Sequence, residues 1–124
     1  MPNPVMQFQI LSNQPEKTAD FYSQLFDWSI NTDNALGYRE INTGTTEGIQ
    51  GGIWPAPPEA STFTQLFIVV EDLEAKSAAA QSLGAQTLIP PTVLPDGGAV
   101  SILLDPTGMP FAIWRKPNND KAGS

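Results

Sequence analysis

The sequence contains no cysteine and no histidine. Without cysteine there is no disulfide, no thiolate nucleophile and no cysteine-based metal site. Without histidine it lacks the commonest metal ligand and the usual general base near neutral pH, so Ser–His and Cys–His nucleophile chemistry is excluded. Basic residues are scarce: six Lys and Arg stand against thirteen Asp and Glu, for a formal net charge of −7. Such a balance repels nucleic acid and anionic membranes, whose binding needs clustered cations, so neither is an expected partner. Long apolar runs are missing too, the longest, such as Leu66 to Val70, being strand-sized and far short of a membrane span. The opening residues, MPNPVMQFQI, have neither a basic nor an apolar region, so no export signal is expected and the simplest address is cytoplasmic.

What is present suits a single domain over residues 1–124. With 40% hydrophobic and only 15% charged residues the chain is too apolar for disorder, and a chain of this length buries roughly two thirds of its unfolded surface. Val5 to Leu11 alternates as a strand, with Gln7 and Gln9 on one face and Met6, Phe8 and Ile10 on the other. Asn13 and Pro15 then read as an N-cap and a first helical turn, and Thr18, Phe21, Tyr22 and Leu25 recur at helical spacing as a buried stripe. Strands are expected near Trp28 to Asn31, Leu36 to Asn42 and Gly48 to Trp54, separated by turns at Asp33-Asn34, Gly37 and Gly44. The proline-rich stretch PAPPEAS cannot join a sheet interior and reads as a linker over 55–61.

After the linker the order repeats. Thr62 to Val70 is an apolar strand, Glu71-Asp72 an acidic helix start, Leu73 to Leu83 an Ala-rich helix, and Gly84 its stop. Strands follow near Ala85 to Ile89, Ala99 to Leu104 and Pro110 to Arg115, with turns at Pro90-Pro91 and Asp96-Gly97-Gly98. A polar tail, expected to be flexible, occupies 116–124. Gln7 and Gln65 lie 58 positions apart in the first strand of each half, and Trp54 and Trp114 lie 60 apart in the last. The pattern is that of two βαβββ modules, about 5–55 and about 62–115, in an α+β fold.

Several segments, taken in order, resemble the vicinal oxygen chelate superfamily, which includes glyoxalases, bleomycin-resistance proteins and dioxygenases. VMQFQILSNQPEKTADFYSQLFDW resembles its opening strand and helix, and GGIWPAPPE the last strand of its first half. FIVVEDLEAKSAAAQSLGA resembles the start of its second half, and LLDPTGMPFAIW its closing turn and strand. No single motif is specific, but their order and spacing run from about Val5 to Trp114. The resemblance implies two tandem βαβββ modules forming a curled mixed sheet around a cavity. Active members hold a divalent metal there, using one residue from the first and one from the last strand of each half. Those positions fall here on Gln7, Gln65, Gly52 and Ala112.

Gly52 and Ala112 have no side-chain donor, and Gln7 and Gln65 offer only neutral amide oxygens. Hard cations favour carboxylates and softer ones imidazole or thiolate, so no metal ligand set and no cofactor is expected. A vacated metal site is still a cavity. Gln7, Gln9, Gln65 and Phe67 are expected to point to its concave face, and Trp54 and Trp114 to the same faces of their strands as Gly52 and Ala112. Amides, small residues and aromatic rings suit a neutral organic ligand with hydrogen-bonding groups. Against this, the tryptophans can be core, and the glutamines can bond each other or sit at a subunit contact.

No catalytic residue stands out. Glu40, Glu47, Asp96 and Asp105 are candidate general bases for a metal-free proton transfer. Asp96 and Asp105, however, lie in turns where Asp bonds local backbone, and Glu40 beside Arg39 reads as solvated. Tyr22 is expected on the buried helix face and Tyr38 in the open. Three readings follow: a binding protein that sequesters or senses a small organic ligand; a lyase, isomerase or dioxygenase of the same superfamily with an atypical metal site or none; and a structural role with a filled cavity. The resemblance also implies a homodimer. On the open-cavity reading, replacing Gln7 and Gln65 by Ala is expected to leave stability almost unchanged.

Overall fold

Two short helices and eight strands account for most of residues 2–32, 37–56 and 61–117, which the computed structural model describes. The chain divides into two compact units, one spanning Met6–Gln65 and the other Met1–Val5 with Leu66–Ser124.

In the unit Met6–Gln65, the apolar side of β1 (Val5–Ser12) lies against α1 (Pro15–Phe26). Ile10, Ala19, Ile41 and Ile53 form the core, with Phe8, Trp28 and Ile30 packed on it. The other strands are β2 (Ser29–Asn31), β3 (Arg39–Asn42) and β4 (Gln50–Pro55). Their order is β2-β3-β4-β1, antiparallel except for the parallel β4–β1 pair. That pair is parallel because α1 and two strands intervene between its members.

Two expectations about α1 are corrected. Asn13 is not the N-cap: Gln14 holds that place without a side-chain bond, and Ser12 Oγ accepts the Gln14 N–H at 3.0 Å. The buried stripe is also turned by one helical step. Small Ala19 is buried and Thr18 and Tyr22 are half-buried, whereas Phe21 and Leu25 are 58% and 59% exposed. A helix that seats an alanine on the sheet approaches closely and leaves its bulky Phe and Leu outside. Tyr22 fills the helix edge instead, stacking on Trp28 at 6.1 Å.

The other unit has the same topology. β5 (Phe63–Val69), which straddles the boundary, leads into α2 (Leu73–Ser82), β6 (Gln86–Val93), β7 (Ala99–Leu104) and β8 (Pro110–Arg115). Strand order is β5-β8-β7-β6, with β5–β8 parallel and the remaining pairs antiparallel. Val70, Leu73, Ala99, Leu103 and Ile113 make the core. The acidic start of α2 is as expected: Asp72 is the N-cap and accepts the Ala75 N–H at 3.1 Å. Gly84, with φ +105°, follows its end.

The ladders reproduce the sequence repeat: Gln9 lies opposite Gly52 as Phe67 lies opposite Ala112. Pro90-Pro91 departs from expectation, for β6 runs through both prolines to Val93. β6 pairs on one side only, and its ladder shifts register between Ile89 and Thr92, so an edge strand absorbs the missing amide donors. The expected curl is likewise corrected. Within each unit the sheet is open, ending on three-residue β2 or on proline-bearing β6, and neither end strand has a second ladder partner among the described residues.

Asp105 behaves as a turn residue. Its Oδ1 accepts from Thr107 Oγ1 at 2.6 Å, Thr107 N at 2.8 Å and Met109 N at 3.0 Å, and these bonds hold its carboxyl below the usual carboxylate range. Most of the linker (residues 57–60), the Asp33-Asn34 turn with Leu36, and the tail beyond residue 117 lie outside the described residues. Among the described residues no helix is long and apolar enough to cross a membrane.

Candidate functional site

Alternation along β1 sends Phe8 and Ile10 toward the helix and Gln7 and Gln9 to the opposite face of the strand. On neighbouring β4, Gly52 sits beside Gln9, and its missing side chain is replaced by a neighbour's. A Cβ on Gly52 would fall onto the ring of Tyr38. Tyr38, just ahead of β3, lies against Trp54 with ring centroids 4.5 Å apart and planes at 34°. Gln7 Nε2 donates to the Tyr38 hydroxyl at 3.0 Å, and Gln9 also bonds it. Behind this group Gln65 Nε2 donates to Gln9 Oε1 at 3.0 Å. Gln9 and Gln65 are each only 2% exposed, and Gln65 Oε1 is buried with no hydrogen-bond partner among the described residues.

Burial pushes the Tyr38 phenol above its ordinary value, the hydrogen bonds from Gln7 and Gln9 oppose that shift, and the Glu40 carboxylate adds to it. The hydroxyl is therefore a proton-bearing group throughout the neutral range. Because the folded-state value is raised, the associated stability is complete below the unfolded value of about 10 and is lost as pH rises through the folded one. Absorbance titration is expected to show a phenol component ionising above the ordinary range, and Tyr38→Phe is expected to remove it. If the component lost in Tyr38→Phe ionised at the ordinary value, that would count against the burial of Tyr38.

Five of the expected site residues, Gln7, Gln9, Gly52, Trp54 and Gln65, thus gather around Tyr38 in one unit. The other three lie in the second unit, where the Phe67 ring is 5.5 Å from Trp114 at 35° and buried Ala112 lies opposite Phe67. Two expectations change. Gln9 and Gln65 do not face open space but bond each other, so an alanine at Gln65 would strand Gln9 and its stability cost is not small. Tyr38 is not open but is the centre of its group. The signal for it was the glycine pair inside β4, since glycine in a strand interior marks close approach by another group.

The carboxylates are placed elsewhere, with one exception. Asp96 Oδ1 accepts the Gly98 N–H at 2.8 Å, Asp105 closes its turn, and Glu47 is exposed in a loop. Of these four, Glu40 is the one that acts on Tyr38; it is exposed and accepts from Asn31 Nδ2 at 3.2 Å. A divalent metal does not fit these residues. The Gln7 amide nitrogen is directed at Tyr38, the Tyr38 ring takes the room beside Gly52, Ala112 has no donor, and Gln65 Oε1 is one neutral oxygen. No group of three or more His, Cys, Asp or Glu gathers in metal-binding arrangement among the described residues.

Two βαβββ units, each a four-stranded run of sheet with one helix, have the architecture of a glyoxalase-type fold. Residues 7–114 match the glyoxalase-like domain family, and the chain belongs to that family, within the vicinal oxygen chelate superfamily. No curated protein is significantly similar in sequence. Among solved structures it is similar to a protein from Staphylococcus aureus, at 22% identity and TM-score 0.63, covering 95% of this chain and 100% of that one. It is also similar to a methylmalonyl-CoA epimerase from Streptomyces coelicolor, at 15% identity and TM-score 0.63, covering 95% and 97%. A third is the Mn(II)-bound glyoxalase from Novosphingobium aromaticivorans, at 15% identity and TM-score 0.62, covering 94% of this chain but 40% of that one. At these identities the likeness is one of fold.

Proposed function

We propose that this protein binds a small neutral organic molecule without a metal, sequestering or sensing it in the manner of bleomycin-resistance-type proteins. The observation that carries this reading is Tyr38: a protonated phenol, held by Gln7, set against the indole of Trp54 in the space that Gly52 leaves. Gln7, Tyr38 and Trp54 are all half-buried, so a ligand can reach them while the Gln9–Gln65 pair supports them from behind. The matching ligand has a planar apolar part to lie on the rings and a polar group to meet the Gln7–Tyr38 pair. Trp114, half-buried beside the buried ring of Phe67, offers an aromatic face in its own unit. The protein is proposed to act in the cytoplasm as a homodimer, a state supported by the exposed Phe21, Leu25 and Phe26 of α1.

The second reading, a lyase or isomerase of the superfamily working without a metal, is favoured by the same phenol, which is positioned to donate a proton. A dioxygenase would need a metal that the residues do not fit. The test is a thermal-shift screen of neutral aromatic amides and ketones, with hits titrated by tryptophan fluorescence. Loss of one hydrogen bond of about 1.5 kcal/mol is roughly a tenfold weaker affinity, and Tyr38→Phe and Trp54→Leu are each expected to weaken binding at least that much, chelator or not. Hits that bind both variants as tightly as the parent, or only with added divalent metal, would overturn the proposal. Conversion of a hit to product, lost in Tyr38→Phe, would establish the second reading.

A further inference from the structure

The unit Met1–Val5 with Leu66–Ser124 carries a surface groove of about 920 Å³, and none of the residues discussed as a ligand site lines it. Its frame is tied by backbone bonds, Val69 N–H to the Pro4 carbonyl at 3.0 Å and Val70 N–H to the Trp114 carbonyl at 2.8 Å. Its floor is apolar, made by Val69 and by Ala75 and Ala79 of α2. Pro4 and Pro117 wall it with rings that lose little entropy when a ligand binds.

The charge in this groove runs against that of the chain. Lys76, Arg115 and Lys116 all line it, three of only six basic residues in a protein with thirteen acidic ones. Two carboxylates, Glu71 and Asp72, line it as well. Asp72 is occupied at the start of α2, where it accepts the Ala75 N–H. None of the three cations forms an ion pair with a carboxylate among the described residues, and the Arg115 guanidinium rests only on the carbonyls of Gly97 at 3.4 Å and Lys116 at 3.3 Å. A guanidinium has five N–H donors, so most of its capacity is unspent.

We propose that this groove binds a small organic anion, with its carboxylate or phosphate head among Lys76, Arg115 and Lys116 and its apolar body on Val69, Ala75 and Ala79. The volume lies within the range of small-molecule sites, roughly 300–1,000 Å³, and the mixture of an apolar floor with a few polar groups is usual for them. A site of this kind is independent of the Tyr38 group and takes a ligand of the opposite character.

The test is a ¹H–¹⁵N NMR titration of the full chain with phenyl phosphate, benzoate, benzamide and inorganic phosphate. Phenyl phosphate or benzoate is expected to shift the amides of Val69, Ala75 and Lys116 saturably, with affinity falling several-fold as salt is raised. Lys76→Gln combined with Lys116→Gln is expected to weaken that binding about tenfold while the rest of the spectrum stays unchanged, both side chains being exposed. Equal binding of benzamide, unchanged binding in the double variant, or shifts centred elsewhere would overturn the proposal. Inorganic phosphate binding as tightly as phenyl phosphate would overturn the role given to the apolar floor.

Discussion

Gly51→Ala and Gly52→Ala are each expected to lower stability by about 1–3 kcal/mol, the usual cost of forcing an extra carbon into a packed site. Their chemistry is the same and their mechanism differs. The added carbon at Gly51 strikes the ring of Phe8, which packs on the core with Trp28 and Ile30, and at Gly52 it strikes Tyr38. Phe8 is also half-buried, but moving its ring gives up its packing on the core, so the loss in Gly51→Ala is a core loss. Tyr38 is half-buried and can swing outward, so Gly52→Ala is expected to free the phenol, restore its ordinary titration and abolish the ligand binding proposed for it. A double-mutant cycle with Tyr38→Ala separates the two cases: the Gly52→Ala cost should largely vanish when Tyr38 is already Ala, whereas the Gly51→Ala cost should persist. Strict additivity at Gly52, measured by denaturant melts, would show that Tyr38 does not occupy that space.

Truncations in the two cores should be larger still. Ile53 and Leu103 are both 0% exposed, Ile53 in the cluster with Ile10 and Ile41 and Leu103 in the cluster with Val70 and Leu73. Ile53→Ala and Leu103→Ala are each expected to cost about 2–5 kcal/mol, the transfer energy of the lost carbons plus that of the cavity left behind. Against a total stability of about 5–15 kcal/mol, either comes near to unfolding a weakly stable chain. Phe21→Ala and Leu25→Ala, on the outer side of α1, should change stability by no more than about 0.5 kcal/mol in the monomer. Urea unfolding of the four variants decides the matter, and a loss at Leu25 as large as that at Leu103 would restore the helix face expected from the sequence.

That contrast shows how far periodicity carries. Thr18, Phe21, Tyr22 and Leu25 have helical spacing, and the helix is there. Spacing, however, treats Phe21 and Ala19 by their hydrophobicity, while the contact with the sheet selects for size, and Ala19 is the residue that fits. The strands were easier to read. β7 and β8 have the expected limits, and the paired offsets in the two halves reappear as ladder register, Gln9 on Gly52 and Phe67 on Ala112. Alternation has only two phases, so a strand with one polar and one apolar face has little freedom to be misread.

At the site the division is sharper. Composition alone removed thiol and imidazole chemistry, and the order of motifs was enough for the family, because both are properties of the linear chain. The resemblance singled out two glutamines, a glycine and an alanine, and their identities were legible from the sequence. The destination of those side chains was not. Gln9 and Gln65 meet across 56 positions of sequence at 3.0 Å, and Tyr38 reaches the space beside Gly52 from a separate segment. Linear order records which residues a chain owns, and no local rule places an amide against a partner so far along it. Folding does so by burying polar groups that must find hydrogen bonds once water is gone, and it is this pairing that sets a phenol between amides and an indole.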